Sequence, residues 1–330
     1  MKKPNKNGIL SLGRQVIYLV LAAMLAACST EEPVSTSATN VEAAAAPGIA
    51  IRTLSTKPWL ITGGDVLLEL EVEAGLSPEQ LSITLNESDV SHLFRAVGSS
   101  RIQAMLTDIP VGDSRVTATA ANSSETASLT LTNYPVSGPI ISGPHQQPFY
   151  CQTSEFETVA GDTLGSANDL NCSITTQINY VYWSDTDQQF KNFVRSIAGD
   201  FPEEPAMISQ PSGESVPYLV RVETGTVNRA IYEIAMLHDP AMGALDPWNR
   251  SENWNGKLVY THGGGCRGGW YQQGNRTGGV MRRGLFELGY AVTSSTLNVF
   301  GQNCNDLLAS ETHIMVKERF IEHYGVPVYS

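Results

Sequence analysis

The stretch Lys257-Leu-Val-Tyr-Thr-His-Gly-Gly-Gly-Cys266 constrains this chain more than any other. An apolar run rich in strand-forming residues enters a histidine and three glycines without a break. A strand therefore ends in a turn whose backbone can approach a ligand closely. A phosphate cradle would continue into Gly-Lys-Ser/Thr, or open a helix with G-x-G-x-x-G, and the sequence does neither. No cofactor is expected on that account. The other use is an oxyanion hole, in which backbone N–H groups hold the charge that develops during acyl transfer. Gly263, Gly264 and Gly265 are the candidates for that role.

The order of elements around the turn sets the expected fold. Residues 217–223 and 230–237 alternate as a two-strand hairpin, and Leu258–Thr261 is a third strand. Val280 to Leu288 reads as a helix closed by Gly289, and Tyr290 to Ser295 as a buried strand. Asp306 to Tyr324 reads as a long helix closed by Gly325, and Val326 onward as the start of another strand. Strand, helix, strand, helix, strand after a hairpin is the opening half of an open α/β sheet. In α/β-hydrolases an HGGG-type loop follows the third strand and a serine elbow follows the fifth, with the acid and the histidine later in the chain. No G-x-S-x-G precedes Ser330. The expectation is a partial α/β-hydrolase sheet over 216–330 that ends before its nucleophile, with no catalytic triad in this chain and no activity by itself.

The first 27 residues have a different character. Lys2, Lys3, Lys6 and Arg14 precede a short apolar run that ends in Leu25-Ala26-Ala27-Cys28. This is the pattern of a bacterial lipoprotein signal peptide, cut before an acylated Cys28. Ser29 after that cysteine, where an acidic residue would retain the protein in the inner membrane, points to an outer-membrane or cell-surface location. Residues 28–47 are rich in Ser, Thr, Ala and Glu without apolar period and form a tether. The formal net charge of −12 argues against a nucleic-acid partner, because such binding needs clustered Lys and Arg. The expected partners are the membrane, through the lipid, and a small-molecule ester.

Residues 48–135 alternate with period two. Leu68, Leu70 and Val72 take one face, with Glu69 and Glu71 on the other. Repeats at 81–85, 116–120 and 129–131, separated by Gly and Asn turns, predict an Ig-like β-sandwich. Residues 136–215 are Pro- and Gly-punctuated and read as a stapled linker and lead-in, with a strand over Tyr180–Trp183 and a short helix from Gln189 to Ile197. Four cysteines follow the leader: Cys151, Cys172, Cys266 and Cys304. In an exported chain they form two disulfides, with three possible pairings. A metal site using cysteine and His262 is disfavoured, because no CxxC pair is present.

Val220 to Arg229, Pro247-Trp-Asn-Arg250, His262 to Cys266, Ser295 to Asn305 and Val316 to Gly325 together resemble an uncharacterised family of exported bacterial proteins. That family is akin to tannase- and feruloyl-esterase-like α/β-hydrolases, and the resemblance runs from about Gly48 to the end. It implies a serine ester hydrolase in which Gly263, Gly264 and Gly265 serve the oxyanion. It also implies a serine elbow soon after the Val326-Pro-Val-Tyr329 strand. Within that picture Cys266 pairs with Cys304, pinning the glycine loop, and Cys151 pairs with Cys172. His262, Trp270 and Tyr271 are candidates for the substrate pocket. His313 and His323, ten residues apart on one helix, read as surface or packing residues. The alternative function is a cell-surface binding or structural lipoprotein without catalysis.

Overall fold

The structure is a computed structural model and describes residues 48–121, 125–193, 205–266 and 271–330. The expected leader, its Cys28 and most of the tether lie outside the described residues. The alternating segments after Gly48 fold into two sheets around one core. Strands β1 (Ile49–Thr53), β3 (Val66–Val72), β6 (Arg95–Ala96) and β7 (Arg101–Leu106) form one sheet in the order β1-β3-β7-β6. Strands β2 (Ile61–Thr62), β4 (Leu81–Leu85), β5 (Ser88–Asp89), β8 (Gly112–Ala120) and β9 (Thr126–Tyr134) form the other, in the order β2-β9-β8-β4-β5. Leu68, Leu70, Ile83, Ile102, Val116 and Leu131 meet between them. Each strand turns every second residue inward, which places that set on the inner faces.

The outer face of β3 is also covered. Leu67 packs into a second core, with Tyr232, Met315 and Phe320. Glu69, expected on a solvated face, is 1% exposed. It pairs with Arg52 and accepts 2.6 Å from Gln103 Nε2. Gln103 in turn accepts 3.0 Å from the Trp248 indole of the second module. Period two therefore located the faces, but not the roof over the outer one.

The second module is built on a six-stranded sheet of β10 (Gln177–Ser184), β11 (Gln189–Asn192), β14 (Leu219–Val227), β15 (Ala230–Leu237), β16 (Leu258–Gly263) and β17 (Ala291–Val299). Its order is β11-β10-β14-β15-β17-β16. A small hairpin of β12 (Met207–Ser209) and β13 (Ser215–Pro217) stands apart from it. Helix α1 (Arg283–Phe286) is one turn, whereas α2 (Asp306–Tyr324) spans 19 residues from an Asn305 cap to Gly325.

This corrects the expected α/β-hydrolase sheet. The chain is β-rich, with four sheets and two α-helices among the described residues. In the six-stranded sheet β11, β10, β14, β15 and β17 pair antiparallel in series, and of its strands only β16 and β17 run parallel. An α/β sheet needs a helix in each parallel crossover. Among the described residues the crossover from β16 to β17 holds only α1, because Gly278 and Gly279 precede it and the turn closes at Gly289. The helix expected at Gln189 to Ile197 is likewise a strand over Gln189–Asn192, with residues 194–197 lying outside the described residues. Past α2, the expected strand amounts to one parallel bridge between Tyr329 and Lys257.

Helix α2 covers one sheet face, where Met315, Val316, Phe320 and Ile321 meet Tyr232, Ile234 and Met236. The opposite face packs Trp183, Tyr218, Val222, Leu237, Phe286 and Val292 together. Strands β15 and β17 are buried along their whole length for this reason.

Candidate functional site

The glycine turn forms at the end of β16, on the edge of the sheet. Its ladder with β17 runs evenly from Leu258↔Ala291 to Thr261↔Ser294, then jumps to Gly263↔Val299. Strand β17 thus spends extra residues between Ser294 and Val299, where Ser295 Oγ and Tyr260 Oη both donate to Asn298 Oδ1, at 2.6 and 2.7 Å. Such irregularities re-aim the chain next to functional sites. Asn298 is itself fixed by a 2.8 Å bond from Nδ2 to the Ala309 carbonyl of α2.

Each glycine answers to a different constraint. A Cβ on Gly263 would lie 2.7 Å from Val299 Cγ1, so only hydrogen fits there. Gly265 has φ +95°, a left-handed conformation that favours glycine. A Cβ on Gly264 would meet nothing within 4 Å. Packing therefore does not demand glycine at 264.

The orientation of the peptide planes follows from the hydrogen bonds. The Gly263 carbonyl accepts 3.0 Å from the Phe300 N–H, and the Gly264 carbonyl accepts 3.2 Å from the Gly301 N–H. In a trans peptide the N–H points opposite to the C=O of the same plane. The N–H groups of Gly264 and Gly265 are thus turned away from the 300–301 segment, on the exposed side of the turn. Among the described residues neither finds an acceptor. Two neighbouring donors on one side of a turn form a concave site for a negatively charged oxygen.

Covalent and polar supports hold this turn. Cys266 is bonded to Cys304, with Cα atoms 5.2 Å apart, tying the turn to the connection between β17 and α2. Cys151 is bonded to Cys172. Behind the turn, a Cβ on Gly278 would lie 2.8 Å from the Thr261 carbonyl oxygen, so segment 277–279 fits flush against β16. Gly278 N–H donates 2.8 Å to Ser294 Oγ, which donates 2.7 Å to the Thr261 carbonyl. Thr261 Oγ1 donates 2.8 Å to the Gly279 carbonyl. Thr277 Oγ1 donates 2.5 Å to the buried Glu233 carboxyl, whose pKa is pushed up by burial.

His262 is exposed and joins two rings that sequence spacing did not bring together. Its ring centroid is 5.0 Å from Tyr260 and 5.5 Å from His313, and Tyr260 and His313 stack at 4.0 Å. Burial, then the neighbouring His262 and Lys317, lowers the His313 pKa to about 4. Burial also lowers that of His262. Both imidazoles are therefore neutral at pH 7, and the attraction for an anion comes from the amides rather than from an imidazolium. His313 was missed because its partners lie on another element; only its position on the first half of the helix after β17 hinted at it.

Tyr271 is exposed but is held elsewhere. Its carbonyl accepts 2.8 Å from the Tyr150 N–H, next to Cys151. Gln152 and Gln273 extend this junction, since Gln152 N–H donates 2.9 Å to Gln273 Oε1 and Gly274 N–H 2.9 Å to Gln152 Oε1. Trp270 lies outside the described residues. Gln302, also unremarkable in sequence, is buried below the turn, and its Oε1 accepts from the Asn275 and Arg276 N–H groups at 3.0 and 3.2 Å. Among the described residues no group of His, Cys, Asp and Glu is placed to hold a metal ion.

No curated protein matches this chain. A family model does: the Tannase-like family of unknown function (DUF6351) matches residues 51–330, a span that takes in both the sandwich and the glycine turn, and the chain belongs to that family.

Proposed function

We propose that the protein acts in ester hydrolysis, with the N–H groups of Gly264 and Gly265 receiving the oxyanion. The observation that carries this reading is the outward pair of amides, fixed by the two carbonyl bonds to Phe300 and Gly301 and by the Cys266–Cys304 bridge. Membership of a tannase-like family supports the same esterase-like chemistry. When a nucleophile adds to an ester carbonyl, negative charge moves onto the carbonyl oxygen. Donors already fixed in place stabilise it without reorganising. The proposed nucleophile is a serine, with the acyl group passing to it and then to water. None of the hydroxyls named around the turn is assigned that role. The neutral His262 and its stacked partners form a flat wall beside the turn, suited to a small-molecule ester.

The test is an activity and labelling experiment on the longest native product that contains this chain. Aryl esters should be hydrolysed, and a fluorophosphonate probe should label the protein and stop turnover. Folded protein that does neither would overturn the reading and leave a binding or structural role.

We further propose that the protein is exported and anchored by lipid on Cys28, at the outer membrane or cell surface. The basic leader, the Leu25-Ala26-Ala27-Cys28 sequence and the polar tether support this. An alkynyl fatty acid fed to cells should label the protein, and Cys28→Ser should abolish the label. Equal labelling of both forms contradicts the anchor.

A further inference from the structure

A cavity of about 230 Å³ lies between the sandwich and the second sheet, away from the glycine turn in its lining residues. Thr62 and Asp65 line it from the sandwich, Tyr232 from β15, and Glu318, Arg319 and Glu322 from α2. Three of these are carboxyls. Glu318 and Glu322, four residues apart, share one face of the helix, with Cβ atoms about 5–6 Å apart in such a pair. Both are buried, at 1% and 7% exposure.

The acceptors on this wall are unequally served. Glu318 takes the Thr62 N–H at 3.0 Å and the Thr62 hydroxyl at 2.5 Å, one on each oxygen. Glu322 Oε1 has no hydrogen-bond partner among the described residues. Arg319, the cation in the lining, is committed to Glu223, with Nε 3.1 Å from Oε1. A buried acceptor without a donor is costly and calls for an explanation. A single metal ion does not supply one, because no three of these groups are placed to coordinate it. An ammonium group does. It carries one positive charge and three N–H donors pointing in different directions, so it can bridge oxygens too far apart to share a metal. The cavity also has room for a short aliphatic chain behind the ammonium.

We propose that this cavity binds a small aliphatic primary amine in its ammonium form, held by Glu322 and Glu318 with Asp65 on the opposite wall.

The electrostatics of the empty cavity agree. Burial holds the Glu318 carboxyl up at about 8, and burial and the nearby Glu318 hold Glu322 well above the usual carboxylate range. Burial also raises Asp65, against the pull of Arg319 and with a further push from Asp108. The protons on Glu318 and Glu322 stand where a cation would. An entering ammonium displaces them, so binding releases protons and tightens as pH rises from 6 to 8. Added salt lacks that signature.

The experiment is calorimetric titration of the full chain with n-butylamine hydrochloride at pH 6 and pH 8, with tetramethylammonium chloride as the control. The control has the same charge and no N–H. The expected result is saturable one-site binding of butylamine, at least about tenfold tighter at pH 8, with none from tetramethylammonium. Glu322→Gln should weaken it by about tenfold or more, since one charge-assisted contact is lost. If that variant fails to fold, Asp65→Asn should weaken it in the same direction. Equal heats from tetramethylammonium, no saturation, or unchanged affinity in the folded variants would overturn the proposal.

Discussion

Glu223→Gln should lower the stability of the protein by about 3–5 kcal/mol, the cost of removing one partner from a buried ionic cluster. Glu223 sits on β14, facing α2, and is 1% exposed. Its carboxylate accepts from Tyr232 Oη at 2.7 Å and from Arg319 Nε at 3.1 Å, and also from Tyr324 Oη. Arg221 lies 3.6 Å away on the same strand and donates to Tyr324. Glutamine keeps the shape and can still accept from a tyrosine. It leaves two half-buried guanidinium groups without a compensating charge, which is the larger loss.

The pH dependence follows from the same cluster. Burial alone would raise the Glu223 pKa, but Arg319, the Tyr324 hydroxyl, His323 and Tyr232 outweigh it and hold the group at about 2. The unfolded chain titrates this group near 4.5. The folded form therefore binds fewer protons in that interval. Its stabilising contribution is complete above pH 4.5 and is lost as pH falls through 2. Glu318 acts in the opposite sense. Held up at about 8, it favours the folded protein fully below 4.5 and withdraws that support as pH rises through 8. Urea midpoints should fall steeply from pH 4.5 to pH 2.5 in the parent and less so in Glu223→Gln. Parallel curves, or a midpoint at pH 7 unchanged by the substitution, would show that the cluster contributes little.

The sequence made some parts of this molecule readable and hid others, for identifiable reasons. Helix α2 was legible to the residue, because Asn305 caps its start and Gly325 ends it. The strands of the sandwich were legible because period two survives when one face meets the core. The glycine turn was legible because three glycines after a strand have few structural uses. What failed was the inference from element order to sheet type. The hairpin and the strands at 258–261 and 290–295 were read correctly as strands, yet Val326 onward gives only a bridge, and β10 and β11, drawn from the segment read as a linker, extend the sheet antiparallel. The helix between β16 and β17 shrinks to one turn. The continuous burial of β15 and β17 is also ambiguous in sequence, since parallel and antiparallel strands covered on both faces look alike. The carboxyls of α2 were unreadable as a group. Glu311, Glu318 and Glu322 look like an ordinary solvated face, but loop 140–142 roofs the first and the sandwich the other two. Glu311 Oε2 accepts from the Ile140, Ile141 and Ser142 N–H groups at 2.8, 2.6 and 2.7 Å. No local spacing reveals partners about 170 residues away.

Gly264→Pro tests the account most directly. Proline deletes the N–H at 264, one of the two donors turned outward, and leaves the Gly263 and Gly264 carbonyls free to keep their bonds to Phe300 and Gly301. Loss of one oxyanion donor costs about 10²–10³ in kcat. Gly264→Ala is the control for the change of backbone, since its N–H remains and its Cβ meets nothing within 4 Å. The measurement is kcat for an aryl ester with the longest native product that contains this chain and with both variants of it, each checked for an unchanged urea midpoint. The account predicts that the proline variant loses about 10²–10³ in kcat while the alanine variant retains most of it. A folded proline variant that turns over the ester at the parental rate would contradict the assignment of the glycine turn.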